Sequence, residues 1–224
     1  MIIDHNHVIY RRKWKNAGKN KYNGAFYYSK EIVKNIIPNV ETDRNWVTVN
    51  IQNQGTDHSI VFVHNNIHPE RYDWLKRYHD IILVCGVPET VEKVAHIGNA
   101  IYLPLSVDVA YIEQFKTKKT KGAAFVGRQV KRKDLFFPEA VDFIENMPRE
   151  RLLKRMAQYR RIYAVGRTAV EAKVLGCQVL PYDPRFPDPD LWQVLDNKDA
   201  AKILQKKINE IDYVKKSFFS FLRN

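Results

Sequence analysis

The chain has 224 residues, a length that allows one large domain or two small ones. Its residues are 45% hydrophobic and 28% charged, a balance that excludes a disordered or fibrous chain. The formal net charge of +12 points to a polyanionic or phosphorylated partner. No apolar run approaches the roughly 20 residues of a membrane helix, and no secretory signal is recognisable, so we expect a cytoplasmic protein.

The first half of the chain alternates between predicted helices and strands. Ser29 is expected to cap a short helix that Pro38 ends. Helices are also expected over 69–78 and 88–95, each opening with a proline. Runs of β-branched and aromatic residues bounded by turn residues predict strands over 47–51, 60–63, 81–85 and 100–103.

The second half repeats the alternation more regularly. Strands are expected over 123–126, 162–165 and 178–181, and helices over 148–159, 168–175, 197–211 and 213–222. This order predicts parallel strands joined by right-handed crossovers. We therefore predict an α/β protein of two small Rossmann-like lobes, with parallel sheets and helices on both faces. The N-terminal lobe spans residues 1–104, and the C-terminal lobe, with the terminal helix, spans residues 105–224.

Positive charge is concentrated in the second predicted lobe. Residues 1–104 carry 13 Lys and Arg against 10 Asp and Glu, whereas residues 105–224 carry 24 against 15. Two runs stand out: Lys116 to Lys133 holds eight cations and no acid, and Arg149 to Arg167 holds seven cations and one acid. Such runs are typical of a solvated face, and the alternative is a surface for an anionic acceptor.

Two turns combine the end of a predicted strand with glycine and cationic residues. In the first, Gly127 and Arg128 follow the strand, and Lys133 lies further along the same loop. In the second, a strand runs into a helix through Gly166, Arg167 and Thr168. Open parallel sheets bind ligands outside the carboxyl ends of their strands, where helix N-termini present N–H groups. Both turns are therefore candidate ligand sites.

The side chains at these turns suit a phosphorylated ligand. Arg128 can bind one phosphate through its bidentate fork, and Lys133 can neutralise another as a point charge. Glu171 lies about one turn inside the second helix, where its carboxylate can accept a hydrogen bond from a sugar hydroxyl. Together the three residues predict a nucleoside-diphosphate site.

At these positions the sequence resembles GT-B fold glycosyltransferases of the glycogen-synthase-like and sucrose-synthase-like group, mainly their C-terminal nucleotide-binding lobe. Gly127, Arg128 and Lys133 match the strand-Gly-Arg-x-x-x-x-Lys turn of that group. The resemblance extends over residues 60–185 and includes a passage, 103–115, that looks like the linker before the second lobe.

A later signature of the group, Glu-x7-Glu, is matched in its second half. Gly166, Thr168 and Glu171 fall at corresponding places, with Arg167 between the first two. Tyr163 stands where the group has its first Glu, the residue that contacts the donor sugar.

The resemblance implies a glycosyltransferase that moves a sugar from a nucleoside-diphosphate sugar, such as a UDP sugar, to an acceptor hydroxyl. Arg128 and Lys133 would stabilise the departing diphosphate with neither a metal nor another cofactor, and Glu171 would bind the nucleotide ribose. His64 follows a first-lobe strand and is a candidate base or donor contact, as in some members of the group. The basic charge suggests an anionic acceptor, either DNA or a phosphate-rich glycopolymer.

Two other functions are alternatives. The cationic, aromatic-bearing stretches 11–26 and 116–133 favour a nucleic-acid-binding protein on a Rossmann-like scaffold. Tyr163, in place of the first Glu, favours a catalytically inactive protein that binds a nucleotide sugar.

The remaining motifs are weaker. His5 with His7, and Asp188 with Asp190, have the spacing of metal ligands but no further ligand nearby, so we expect no metal. Cys85 and Cys177 lie in apolar segments and are expected to be buried thiols.

Overall fold

The computed structural model describes residues 24–48, 55–64, 68–127 and 135–221. Over these residues the chain forms two four-stranded parallel sheets, each in its own unit. The described part of the first unit lies in Ser29–Pro104 and 198–221, and that of the second lies in 24–28 and Leu105–Asn197. The predicted α/β fold with two Rossmann-like lobes is confirmed.

The first sheet has the strand order β1-β2-β3-β4, with all neighbours parallel. Its strands are β1 (Asn45–Val47), β2 (Ser59–Val63), β3 (Ile81–Cys85) and β4 (Asn99–Tyr102). Every residue of β2 and β3 is buried, as expected for continuous apolar runs at the centre of a parallel sheet. In this described part of the sheet, the order of the strands across the sheet is the same as their order along the chain.

Helical segments connect these strands. Helix α1 (Gly24–Glu31) continues into a π-helical segment, Ile32–Ile36, and a 3-10 turn, Ile37–Asn39, that contains Pro38. A 3-10 helix, Pro69–Arg77, precedes β3, and α2 (Pro88–Val94) follows it, each opening on its proline. Tyr72 and Leu75, from the 3-10 helix, pack with Val61 and Leu83 in the buried core of this unit.

The second unit contains the second sheet, whose strand order is β6-β5-β7-β8. In chain order its elements are α3 (Val109–Glu113), β5 (Lys121–Val126), β6 (Val141–Ile144), α4 (Arg149–Met156), β7 (Tyr159–Tyr163), α5 (Arg167–Val174) and β8 (Gln178–Leu180). Strand β6 was not predicted from the sequence. It lies at the edge of the sheet, and its Asp142 and Phe143 are exposed, so it lacks the continuous apolar run of the inner strands.

The order of the second sheet reverses at β5. From β5 the chain steps to β6 on one side, and then returns across β5 to β7 and on to β8. The carboxyl end of β5 is therefore a topological switch point, the place where open α/β sheets bind ligands. Helix α4 follows β6 and α5 follows β7, so these two helices begin on either side of the switch point.

The two ends of the stretch 105–197 are hydrogen-bonded to each other. The amide of Val107 donates to the carbonyl of Leu195 at 3.0 Å, and the amide of Asn197 donates to the carbonyl of Val107 at 3.0 Å.

The C-terminal residues form one continuous helix, α6 (Asn197–Phe221), where the sequence predicted two. The prediction placed this helix with the C-terminal lobe, whereas residues 198–221 group with the first unit. Arg44 donates to Asp212 at 2.6 Å, and Gln205 donates to the carbonyl of Glu41 at 3.0 Å. Over the described residues no helix is both long and apolar enough to span a membrane.

Candidate functional site

The two predicted glycine turns lie side by side at the switch point. Gly127 follows β5 and Gly166 follows β7 by a few residues, and these strands are neighbours that pair Phe125 with Tyr163. A Cβ on Gly127 would lie 2.8 Å from Cζ of the buried Phe125 ring, so this position is packed too tightly for a side chain. The structure thus places Gly127 and the turn of Gly166 after the ends of neighbouring strands.

Gly166 gives the second turn its shape. Its backbone has φ +66° and ψ −145°, a combination that residues with a side chain rarely adopt. The residue precedes the first turn of α5, where its carbonyl accepts from the amide of Ala169 at 2.9 Å. Thr168, the second residue of α5, is half-buried. No side chain caps the N-terminus of this helix.

Glu171 is buried between two arginines. Its side chain is 1% exposed, and Oε1 is 2.8 Å from Nε of Arg167, one turn earlier on α5. Arg149, the first residue of α4, forms an ion pair with the same oxygen through Nη1. The guanidinium of Arg167 also lies over the Tyr28 ring, 6.0 Å from its centroid. In this conformation the carboxylate predicted to meet a sugar hydroxyl is held by these arginines.

Arg128 and Lys133 lie outside the described residues, so their assignment to a diphosphate stays a prediction. The turn that precedes them, Gly127, is described, and its amide donates to the carbonyl of Ile144 on β6 at 3.2 Å.

Tyr163 belongs to the packed interior of the second unit. Its ring centroid is 4.9 Å from that of Phe137, and its hydroxyl donates to Glu139 at 3.1 Å. Burial and the hydrogen bond to Glu139 raise the pKa of Tyr163. Only 6% of the side chain is exposed, so the residue at the place of the group's first Glu has a packing role here.

His64 lies in the first unit, directly after β2. Its Nε2 is 2.5 Å from the carbonyl of Thr48, which also accepts from Oγ of Ser29 at 2.6 Å. Because a carbonyl only accepts, Nε2 carries the proton and is not the basic nitrogen of this ring. Burial lowers the pKa of His64, so the neutral imidazole is favoured near pH 7.

Many cations of the two basic runs have structural partners. Lys119 donates to the carbonyls of Ala157 and Leu175, at 2.9 and 2.7 Å, and so binds the C-terminal ends of α4 and α5. Lys116 pairs with Glu113 at 2.6 Å, and Arg161 pairs with Glu139 at 2.5 Å. A role for these runs in binding an anionic acceptor stays a prediction.

The weaker motifs do not form a metal site in the described part of the chain. Oδ1 of Asp188 accepts from the amide of Asp190 at 2.7 Å and caps a 3-10 turn. Over the described residues no group of three or more His, Cys, Asp or Glu side chains is placed to hold a metal, and His5 and His7 lie outside those residues. Cys85 and Cys177 are buried free thiols, as predicted, and burial raises the pKa of Cys85 to about 12.

Sequence reasoning missed Arg149 as a residue of this site. It was counted only as one member of a basic run. The sequence did signal that Arg149 lies near the start of a predicted helix, after Pro148, but the strand before that helix, which sets the edge, was not predicted.

Comparisons of this chain with protein-family models, with curated proteins and with solved structures gave no match.

Proposed function

We propose that this protein is a glycosyltransferase that binds a nucleoside-diphosphate sugar at the switch point of the second sheet. The observation that carries the proposal is the convergence of two glycine turns and two helix N-termini there. Gly127 and Gly166 end neighbouring strands, and Arg149 and Arg167 begin the helices on either side. N–H groups at helix N-termini, together with arginine, are the elements that bind phosphate in α/β proteins.

In this proposal the phosphates meet cations and the sugar hydroxyls meet a carboxylate. Arg128 and Lys133 stabilise the leaving diphosphate, Glu171 accepts from the ribose, and Gly127, Gly166, Arg167 and Thr168 complete the nucleotide site. For His64 the predicted role as a donor contact is kept, with its imidazole neutral near pH 7. The acceptor is a hydroxyl of an anionic polymer, either DNA or a phosphate-rich glycopolymer.

Isothermal titration with UDP, GDP and ADP tests the binding step. We expect micromolar to millimolar binding of at least one of them by the wild type, as is ordinary for enzyme substrates. Glu171→Ala should abolish the preference for ribonucleotides over 2′,3′-dideoxynucleotides. Glu150→Ala, which removes a 60% exposed acid from α4, is the matched control. If none of the three nucleotides binds, the proposed function is wrong.

A second candidate, nucleic-acid binding, is favoured by one observation. Phe136 is 91% exposed and follows the cationic sequence between Arg128 and Lys133. Base stacking on such a ring is worth about 1–3 kcal/mol. Phe136→Ala should then weaken single-stranded DNA binding about tenfold, while Tyr213→Ala, at a 73% exposed tyrosine, leaves it unchanged. Equal affinities for the two variants would exclude this stacking role.

A third candidate is a catalytically inactive nucleotide-sugar sensor, favoured by the packing of Tyr163 where the resembling group has a Glu. Donor hydrolysis or transfer above background by the wild type would exclude it. The assay follows release of UDP, GDP or ADP from the corresponding sugar nucleotides.

A further inference from the structure

The cluster formed by Arg149, Arg167 and Glu171 carries one net positive charge in a buried place. The exposed fractions of the three side chains are 14%, 7% and 1%. Both arginines approach the same oxygen, Oε1 of Glu171. Neither carboxylate oxygen makes a hydrogen bond of good geometry within the described part of the chain, and Nη2 of Arg149 is likewise buried without one. Buried polar atoms are normally hydrogen-bonded, so the cluster is incomplete as it stands.

The positions of the arginines add to this imbalance. Arg149 is the first residue of α4 and Arg167 is the first residue of α5. A helix N-terminus carries a partial positive charge and favours acidic side chains, so a buried arginine there is unfavourable without an anion. The first turn of α5 contains no acidic residue, and neither helix has a side-chain cap. The first turn of α4 holds Glu150, which pairs with the exposed Lys154, so the one buried carboxylate of the cluster must balance two guanidinium groups and the N-terminus of α5.

We propose that Arg149 is a phosphate-binding residue and that the diphosphate of the nucleotide displaces Glu171 from the two arginines. The released carboxylate then accepts hydrogen bonds from the ribose hydroxyls. This inference rests on the proposed function and deepens it, because it names a phosphate ligand and couples phosphate binding to ribose recognition. Guanidinium forks match phosphate oxygens in geometry and charge, so the exchange replaces two poorly aligned contacts with bidentate ones.

The exchange has a consequence for specificity. Inorganic pyrophosphate would bind the two arginines but supply no hydroxyl groups. The buried Glu171 carboxylate would then have no hydrogen-bond donors, which is unfavourable. A nucleoside diphosphate supplies both the phosphates and the hydroxyls. The wild type should therefore prefer a nucleoside diphosphate to pyrophosphate much more strongly than a variant in which residue 171 is neutral.

Isothermal titration of UDP, GDP, ADP and inorganic pyrophosphate into three variants tests the exchange. Arg149→Met should weaken pyrophosphate and nucleotide binding about tenfold or more, since hydrogen bonds to charged groups are strong. Arg151→Met removes an exposed cation from the same helix. This control should change the affinities for pyrophosphate and for the nucleotides less than twofold. Glu171→Gln should tighten pyrophosphate binding at least about fivefold, because it removes a like charge from the site, and should weaken nucleotide binding.

Each result counts for or against the exchange. Equal effects of Arg149→Met and Arg151→Met, or weaker pyrophosphate binding by Glu171→Gln, would overturn it. If pyrophosphate binds through Arg149 but no nucleoside diphosphate binds, the proposed function and the ribose half of the exchange both fail, and Arg149 is left as an anion ligand. If nucleotides bind with no dependence on Arg149, the proposed function survives and the exchange does not. Should Arg149→Met unfold at the assay temperature, the double variant R149M/E171Q is compared with E171Q.

Discussion

Arg44 donates from both terminal nitrogens to Oδ1 of Asp80, each at 3.1 Å, and a third contact reaches the Asp80 carbonyl at 3.0 Å. The guanidinium is 1% exposed, and Lys215 of the C-terminal helix pairs with the same carboxylate oxygen. His58 contacts the other oxygen at 2.6 Å. Asp80 thus holds three basic side chains at the amino end of the first sheet.

Replacing Asp80 with Asn should destabilise the protein by about 2–3 kcal/mol, less than the loss of a fully buried partner because Asp80 is partly exposed. Asn tolerates the positive φ of +55° at this position, so the change removes charge without adding backbone strain. Urea unfolding measures the difference. The control is Asp73→Asn, whose carboxylate is 47% exposed in an ion pair and which should lower the free energy of unfolding by less than about 1 kcal/mol. Equal losses of stability in the two variants would contradict the role of Asp80.

His64 should make the protein less stable at acidic pH. Because burial lowers its folded pKa, the unfolded chain binds the proton more readily. Stability is then complete above the unfolded pKa, roughly 6.5, and falls as the pH drops below it. Gln at position 64 can still donate to Thr48, so His64→Gln should flatten the stability curve between pH 7 and 5. His79→Gln, at an exposed histidine, should leave the curve unchanged.

The backbone of Gly166 should tolerate no side chain, although space for one exists. A Cβ there would meet only Leu105, at 4.0 Å, so the expected loss of about 1–2 kcal/mol in Gly166→Ala comes from the positive φ alone. Gly122→Ala is the control, since its Cβ would meet nothing within 4 Å and its φ is ordinary. Thermal unfolding of both variants should separate them, and a neutral Gly166→Ala would refute the strain.

Lys119 should contribute to stability through the helix ends that it binds. Lys119→Met removes charged hydrogen bonds to two part-buried carbonyls, and we expect a loss of about 2 kcal/mol in urea unfolding. Lys118→Met, at the exposed neighbouring lysine, should change stability by less than about 0.5 kcal/mol. If the two variants unfold alike, Lys119 is only a solvated surface cation.

Strands β2 and β3 were predictable because each is a continuous apolar run, and β5 was predictable because it ends in one. Strand β6 was not, because an edge strand with exposed Asp142 and Phe143 has no such pattern. The sequence predicted two C-terminal helices because polar residues near Asp212 interrupt the apolar pattern. In the structure the helix is continuous there, and the Asp212 carboxylate pairs with Arg44. Tertiary contacts determined both outcomes, and a single sequence does not contain them.

The site was predictable in position but not in its ion pairs. Glycines at strand ends marked the carboxyl edge, and chain order was enough to find them. Which strands are neighbours depends on the order β6-β5-β7-β8, which does not follow from the order along the chain. Arg149 meets Glu171 only because that order places α4 beside α5, and the pairing was therefore outside the reach of sequence reasoning.

The hydrogen bonds that join Val107 to Leu195 and Asn197 make residues 105–197 an insertion with adjoining ends. All four strands of the first sheet precede this insertion, and the helix that completes the first unit follows it. A segment whose ends already meet can be removed, or exchanged for another of the same kind, without opening either sheet. The four strands of the second sheet therefore lie on one continuous segment, between two points of the chain that are already joined by hydrogen bonds.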